Sequence, residues 1–121
     1  MQKKILMLED DGATRNLFAA ILEKAGFAVQ TCADGKEGIE SFRARKFDLV
    51  ITDISMPGMG GIEVIRLIRQ ESPTVPIIAM SGTDRSESFL SMADYYTADL
   101  TLQKPLDAGQ LIAAVKKVLG A

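Results

Sequence analysis

The chain has 121 residues, 47% hydrophobic and 25% charged, with 14 basic and 16 acidic side chains and a net charge of −2. That is enough chain for one domain, too apolar for a disordered segment, and too evenly charged for a broad nucleic-acid footprint, so no direct nucleic-acid binding is expected. The absence of histidine excludes imidazole acid–base catalysis, a Ser-His-Asp triad and imidazole zinc sites. The single cysteine, Cys32, cannot form an internal disulfide and suits a reducing compartment.

In chain order, the first short apolar run is Ile5–Leu8, ended by Glu9-Asp10-Asp11. Leu17, Ile21, Leu22 and Ala25 fall on one helical stripe that Gly26 closes. Ala28–Cys32 follows as a second run, and Asp34-Gly35 turns the chain into a helix bearing Ile39 and Phe42. The third run, Leu49–Ile51, ends in Thr52-Asp53, and Ile62, Ile65 and Ile68 make the next helical stripe. Pro73 and Pro76 bracket the start of the fourth run, Val75–Met80, which ends in Ser81-Gly82. Phe89, Leu90 and Ala93 form a weaker stripe, and Leu100–Leu102 a weaker run ending in Gln103-Lys104-Pro105. Asp107 is the expected N-cap of a last helix carrying Leu111, Ile112, Val115, Val118 and Leu119, with Lys116 and Lys117 suiting its C-terminal dipole.

Brief uninterrupted apolar runs are the pattern of strands buried on both faces. Five of them alternating with five helical stripes predict an α/β fold with a parallel sheet and right-handed crossovers, one domain over residues 1–121. No apolar run approaches the roughly 20 residues that span a bilayer, so a soluble, cytoplasmic protein without membrane insertion is expected.

Open parallel sheets bind ligands beyond the carboxyl ends of their strands. Here those ends deliver Glu9-Asp10, Asp53, Ser81 and Lys104. A single acid after a strand is an ordinary turn residue. Several converging carboxylates are another matter: two unit charges ~4 Å apart repel by roughly 4 kcal/mol at an effective dielectric of 20, and protons or a cation must relieve them. An oxygen-only ligand set suits Mg²⁺, or Mn²⁺ in its place. Carboxylate, divalent ion, hydroxyl and lysine together fit phosphoryl transfer to Asp53, giving an aspartyl phosphate.

Glu9-Asp10 after Ile5–Leu8, Asp53-Ile54-Ser55-Met56-Pro57-Gly58-Met59-Gly60-Gly61, Ala79-Met80-Ser81-Gly82 and Lys104-Pro105 resemble, in order and spacing, the receiver domain of two-component response regulators, as in single-domain chemotaxis regulators. The resemblance covers essentially the whole chain. It implies a doubly wound, flavodoxin-like (βα)5 sheet with strand order 2-1-3-4-5 and helices on both faces. It also implies Asp53 as phosphoacceptor, and Glu9, Asp10, Asp53 and the Ser55 backbone carbonyl as metal ligands. Ser81 matches the switch hydroxyl, Lys104 the lysine that pairs with the phosphoryl group through a usually cis bond to Pro105, and Ser55 and Thr83 the positions that tune phosphoryl loss. The implied donor is a histidine kinase or histidine phosphotransfer protein, and the implied output is altered binding of a downstream protein, with phosphorylation-linked dimer formation allowed. The chain would act chemically on itself alone and not as an enzyme on other substrates.

Three positions depart from the family pattern. Glu9 stands where Asp is commoner, which favours a water-mediated metal contact. Gly60 replaces a frequent Asp and removes a cap from the third helix. Thr101 replaces the usual Tyr or Phe and has no ring to swing; either a β-branched residue simply suits the strand, or the switch uses a different readout through rearrangement of residues Asp84–Tyr96. Two other functions fail on particular residues. A haloacid-dehalogenase-type phosphatase needs an acid where Ser55 stands, and a flavodoxin-type cofactor phosphate would be repelled by Glu9-Asp10-Asp11. A stand-alone receiver is the simplest reading, and a receiver belonging to a longer regulator or hybrid kinase is the alternative.

Overall fold

Strand ends decide where chemistry can sit, and the sheet sets them level. The computed structural model describes residues 2–82 and 97–120, which form five strands and four helices: β1 (Lys4–Leu8), α1 (Gly12–Lys24), β2 (Ala28–Cys32), α2 (Gly35–Ala44), β3 (Leu49–Asp53), α3 (Gly61–Glu71), β4 (Ile77–Ser81), β5 (Leu100–Gln103) and α4 (Ala108–Leu119). The strands pair in the order β2-β1-β3-β4-β5, all parallel. The expected stripe at Phe89, Leu90 and Ala93 lies outside the described residues, as do Thr83 and the Asp84–Tyr96 segment.

Alternation along each strand splits the core in two. Leu6, Leu8, Val50, Ile77 and Ala79 face Ile39 of α2 and Val64, Ile65 and Ile68 of α3. Ile5, Met7, Leu49, Ile51, Ile78 and Met80 face Phe18 and Leu22 of α1 and Leu111 and Val115 of α4. The central strands are therefore apolar on both sides and fully buried, at roughly 1.5–3 kcal/mol for each large aliphatic side chain removed from water. Cys32 is buried as a small hydrophobe.

Local signals end the elements as expected, with small differences. Asp11, Asp34 and Asp107 cap α1, α2 and α4 through backbone N–H groups three residues on, and Asp107 and Gln110 form a reciprocal capping box. Gly26 takes φ +102° after α1, a left-handed turn that favours glycine. Gly60 caps α3 without a side-chain bond. β3 runs two residues further than its apolar run because Thr52 and Asp53 keep pairing with Ala79 and Met80 of β4. β4 starts at Ile77, since Pro76 has no N–H to offer the ladder. In α1 the stripe is rotated from the expected one: Phe18 and Leu22 face the core, and Leu17 is 58% exposed. Either of the adjacent apolar residues 17 and 18 satisfies a helical period, and the larger ring takes the interior.

Candidate functional site

Register brings the acids together. Leu8 of β1 is paired with Thr52 of β3, so Glu9 and Asp53 are each the next residue beyond a matched pair. Asp53 is itself paired with Met80 and Ser81 with Gln103, which places Ser81 and Lys104 at the same end of the sheet. Carboxylate oxygens of Glu9, Asp10 and Asp53 all lie within 4.8 Å of one another. Glu9 is fully buried, Asp53 is 5% exposed, and Asp10 is open to solvent.

Lys104 enters this cluster from beyond β5. Its Nζ donates to Asp53 Oδ2 at 2.6 Å and makes a short contact with Glu9 Oε1, so one ammonium bridges two buried carboxylates. Their remaining oxygens accept backbone N–H groups, Glu9 Oε2 from Asp11 at 3.1 Å and Asp53 Oδ1 from Ser55 at 3.1 Å. Burial pushes the Glu9 carboxyl above its ordinary range, an effect the Lys104 and Asp11 hydrogen bonds offset only in part. Burial would lower the Lys104 ammonium, but its bonds to Asp53 and Glu9 outweigh that and hold it above the ordinary lysine value.

The loop after β3 is fixed from beneath by α3. A Cβ on Gly61 would lie 2.0 Å from the Asp53 carbonyl oxygen and 2.6 Å from Ile54 Cα. Glycine thus lets the start of α3 rest directly on the backbone that carries Asp53, and Gly61 N–H donates to Ile54 O at 2.9 Å. Ile54 and Met56 turn into the core while Ser55 is exposed. On the far side, Lys104 N–H donates to Ser81 O at 2.8 Å, and the Lys104–Pro105 bond is cis.

The arrangement unites Glu9, Asp10, Asp53 and Lys104, as the sequence leads one to expect, with Ser55 bonded to Asp53 and Ser81 bonded through its carbonyl to Lys104. Thr101 is exposed on β5 opposite Ala79, and Thr83 lies outside the described residues. Lys104, read as a partner for a phosphoryl group, is also the counterion of Glu9. Sequence reasoning passed over Arg15, whose Nη1 donates to Glu9 O at 2.9 Å; the available signal was a cation in the first turn of a helix, where the dipole disfavours it.

Three carboxylates in one crevice are an oxygen-only donor set that fits a hard divalent cation. A lysine beside a buried carboxylate fits a group that gains negative charge. The model of the response regulator receiver domain family matches residues 5–116. The transcriptional regulatory protein CseB of Streptomyces coelicolor is 39% identical over 119 residues, covering 98% of this chain and 50% of its own. The cell cycle transcriptional regulator CtrA of Caulobacter vibrioides is 31% identical over 120 residues, covering 96% of this chain and 50% of its own. The chain thus spans about half the length of these curated relatives. Among solved structures, a CheY-like receiver domain protein from Methanospirillum hungatei superposes with a TM-score of 0.91 at 28% identity over 99% of this chain and 95% of that one. The response regulator TrrA of Thermotoga maritima, in complex with Mg²⁺-BeF, gives 0.87 at 31% identity over 97% and 99%. The chain belongs to the response regulator receiver domain family of two-component systems.

Proposed function

We propose that this chain is a phosphorylation switch in which Asp53 accepts a phosphoryl group from a phosphohistidine of a histidine kinase or phosphotransfer protein. The observation that carries this reading is the buried Asp53 carboxylate, within 4.8 Å of those of Glu9 and Asp10 and 2.6 Å from the Lys104 ammonium. An Asp53 oxygen forms the new P–O bond as the P–N bond of the donor breaks, and the imidazole leaves with the bond's electron pair. Glu9, Asp10, Asp53 and the Ser55 carbonyl would hold Mg²⁺ or Mn²⁺, which when bound neutralises charge on the phosphoryl oxygens. Lys104 moves from a carboxylate partner to a phosphoryl oxygen, and the Ser81 hydroxyl donates to another. Ser55 and Thr83, small and uncharged, tune the lifetime of the acyl phosphate. The chain turns over no external substrate, and its output is a change in what it binds.

The half-length match to transcriptional regulators favours a second form of output, in which the same switch governs a DNA-binding segment of a longer protein. A cytoplasmic location agrees with both forms; among the described residues no helix is long and apolar enough to cross a membrane. The test is incubation with a small acyl phosphate and Mg²⁺. One hydroxylamine-sensitive phosphoryl group should appear, and neither Asp53→Asn nor EDTA-treated protein should acquire it. Labelling that survives in Asp53→Asn would remove the assignment.

A further inference from the structure

We propose that Arg15 is a positioning residue for the cation site: its guanidinium fixes the backbone from which Glu9 and Asp10 project. This deepens the switch reading and rests on it. Arg15 lies one turn into α1, and helical side chains lean toward the N-terminus. Its guanidinium therefore reaches back over the capped end, where Nη1 donates to Glu9 O at 2.9 Å and, at a longer 3.5 Å, to Asp10 O.

A cation in the first turn opposes the helix dipole, and α1 has no acid there to offset it. What holds the guanidinium in place is the pair of strand-end carbonyls. Glu9 is completely enclosed. Its N–H donates to Cys32 O, its carboxylate takes Lys104 and Asp11 N–H, and its carbonyl takes Arg15, so every polar group of the residue is engaged. Asp10 is the opposite case. Its carboxylate is exposed and makes no hydrogen bond to protein among the described residues. The aim of that carboxylate is thus set by its backbone, and Arg15 clamps the carbonyls on both sides of the Asp10 nitrogen and Cα.

The direction of the effect separates positioning from simple charge. If Arg15 acted only as a nearby positive charge, removing it would strengthen divalent cation binding. If it positions the acids, removing it weakens binding, by about tenfold as for other outer-shell partners of metal ligands. The experiment measures free Mn²⁺ by electron paramagnetic resonance against wild type, Arg15→Met and Arg15→Lys, and the Mg²⁺ dependence of phosphorylation by an acyl phosphate. Arg15→Met should bind Mn²⁺ about tenfold more weakly and need correspondingly more Mg²⁺ for half-maximal rate, with the rate at saturating Mg²⁺ preserved. Arg15→Lys keeps the charge and a single donor head and should fall between; it also serves as the readout if Arg15→Met does not fold. Equal or tighter Mn²⁺ binding by the variants overturns the role of Arg15 and leaves the switch reading intact. A wild-type protein that binds no Mn²⁺ overturns both.

Discussion

Replacing Lys104 with Met keeps an unbranched apolar stem and deletes the charge that bridges Glu9 and Asp53. Both carboxylates are buried, at 0% and 5% exposure, and their oxygens lie within 4.8 Å. At an effective dielectric of 20, two unit charges at that separation repel by about 3.5 kcal/mol, a repulsion that the ammonium offsets, and removing one partner of a buried pair costs roughly 3–5 kcal/mol. Lys104→Met should therefore lose about 3 kcal/mol by urea unfolding near neutral pH in EDTA. The pH dependence has a definite sign. Glu9 already binds its proton more tightly in the fold than in the unfolded chain, and losing Lys104 raises that preference. Its stabilising contribution is complete below the unfolded carboxyl value and disappears as pH rises through the folded one, so the deficit of the variant should be small near pH 4 and open toward neutrality. Mg²⁺ supplies the missing charge and should recover most of the loss, since a ligand at about 100 times its dissociation constant adds about 2.7 kcal/mol. A variant as stable as wild type in EDTA, or a deficit indifferent to both pH and Mg²⁺, would refute the counterion role.

Gly61→Ala sets a Cβ against immovable backbone 2.0 Å away. It should cost about 1–3 kcal/mol in urea and slow labelling of Asp53 by displacing the strand end. Asp107→Ala removes the side-chain half of the α4 capping box, the carboxylate that accepts from Gln110 N–H, and should cost about 1 kcal/mol, seen as a lower melting temperature by circular dichroism with phosphorylation unaffected. Burial pushes the Cys32 thiol upward, an effect its contact with Ser41 only partly offsets. The thiol thus adds stability below its ordinary value of 9.0 that is lost as pH climbs through the higher folded value. Urea midpoints should fall more steeply above about pH 9 for wild type than for Cys32→Val, and parallel curves would discount the thiol.

Legibility of the sequence followed the range of the interaction. Strands β1 and β2, the turn at Asp34-Gly35 into α2 and the cap at Asp107 depend on neighbouring residues, and local pattern located them. The site residues were legible because a parallel sheet exposes chemistry where strands stop, and Glu9, Asp53 and Ser81 stand at such stops. The face of α1 was not, because Leu17 and Phe18 are both apolar and only packing against Ile5 and Met7 chooses between them. Neither the bond from Lys104 to Glu9, separated by 95 residues, nor the reach of Arg15 back to the strand end has any local signature. Each is a property of the assembled sheet.

That span of 95 residues bears on how the protein comes into being. Synthesis delivers the acidic ends of the first and third strands well before the lysine that relieves them, and such long-separated contacts are slow to form. A growing chain halted short of Lys104 carries mutually repelling carboxylates with no internal remedy. Chemical competence therefore waits on Lys104, and copies truncated before it are biased toward unfolding rather than toward acting as rogue receivers of signal.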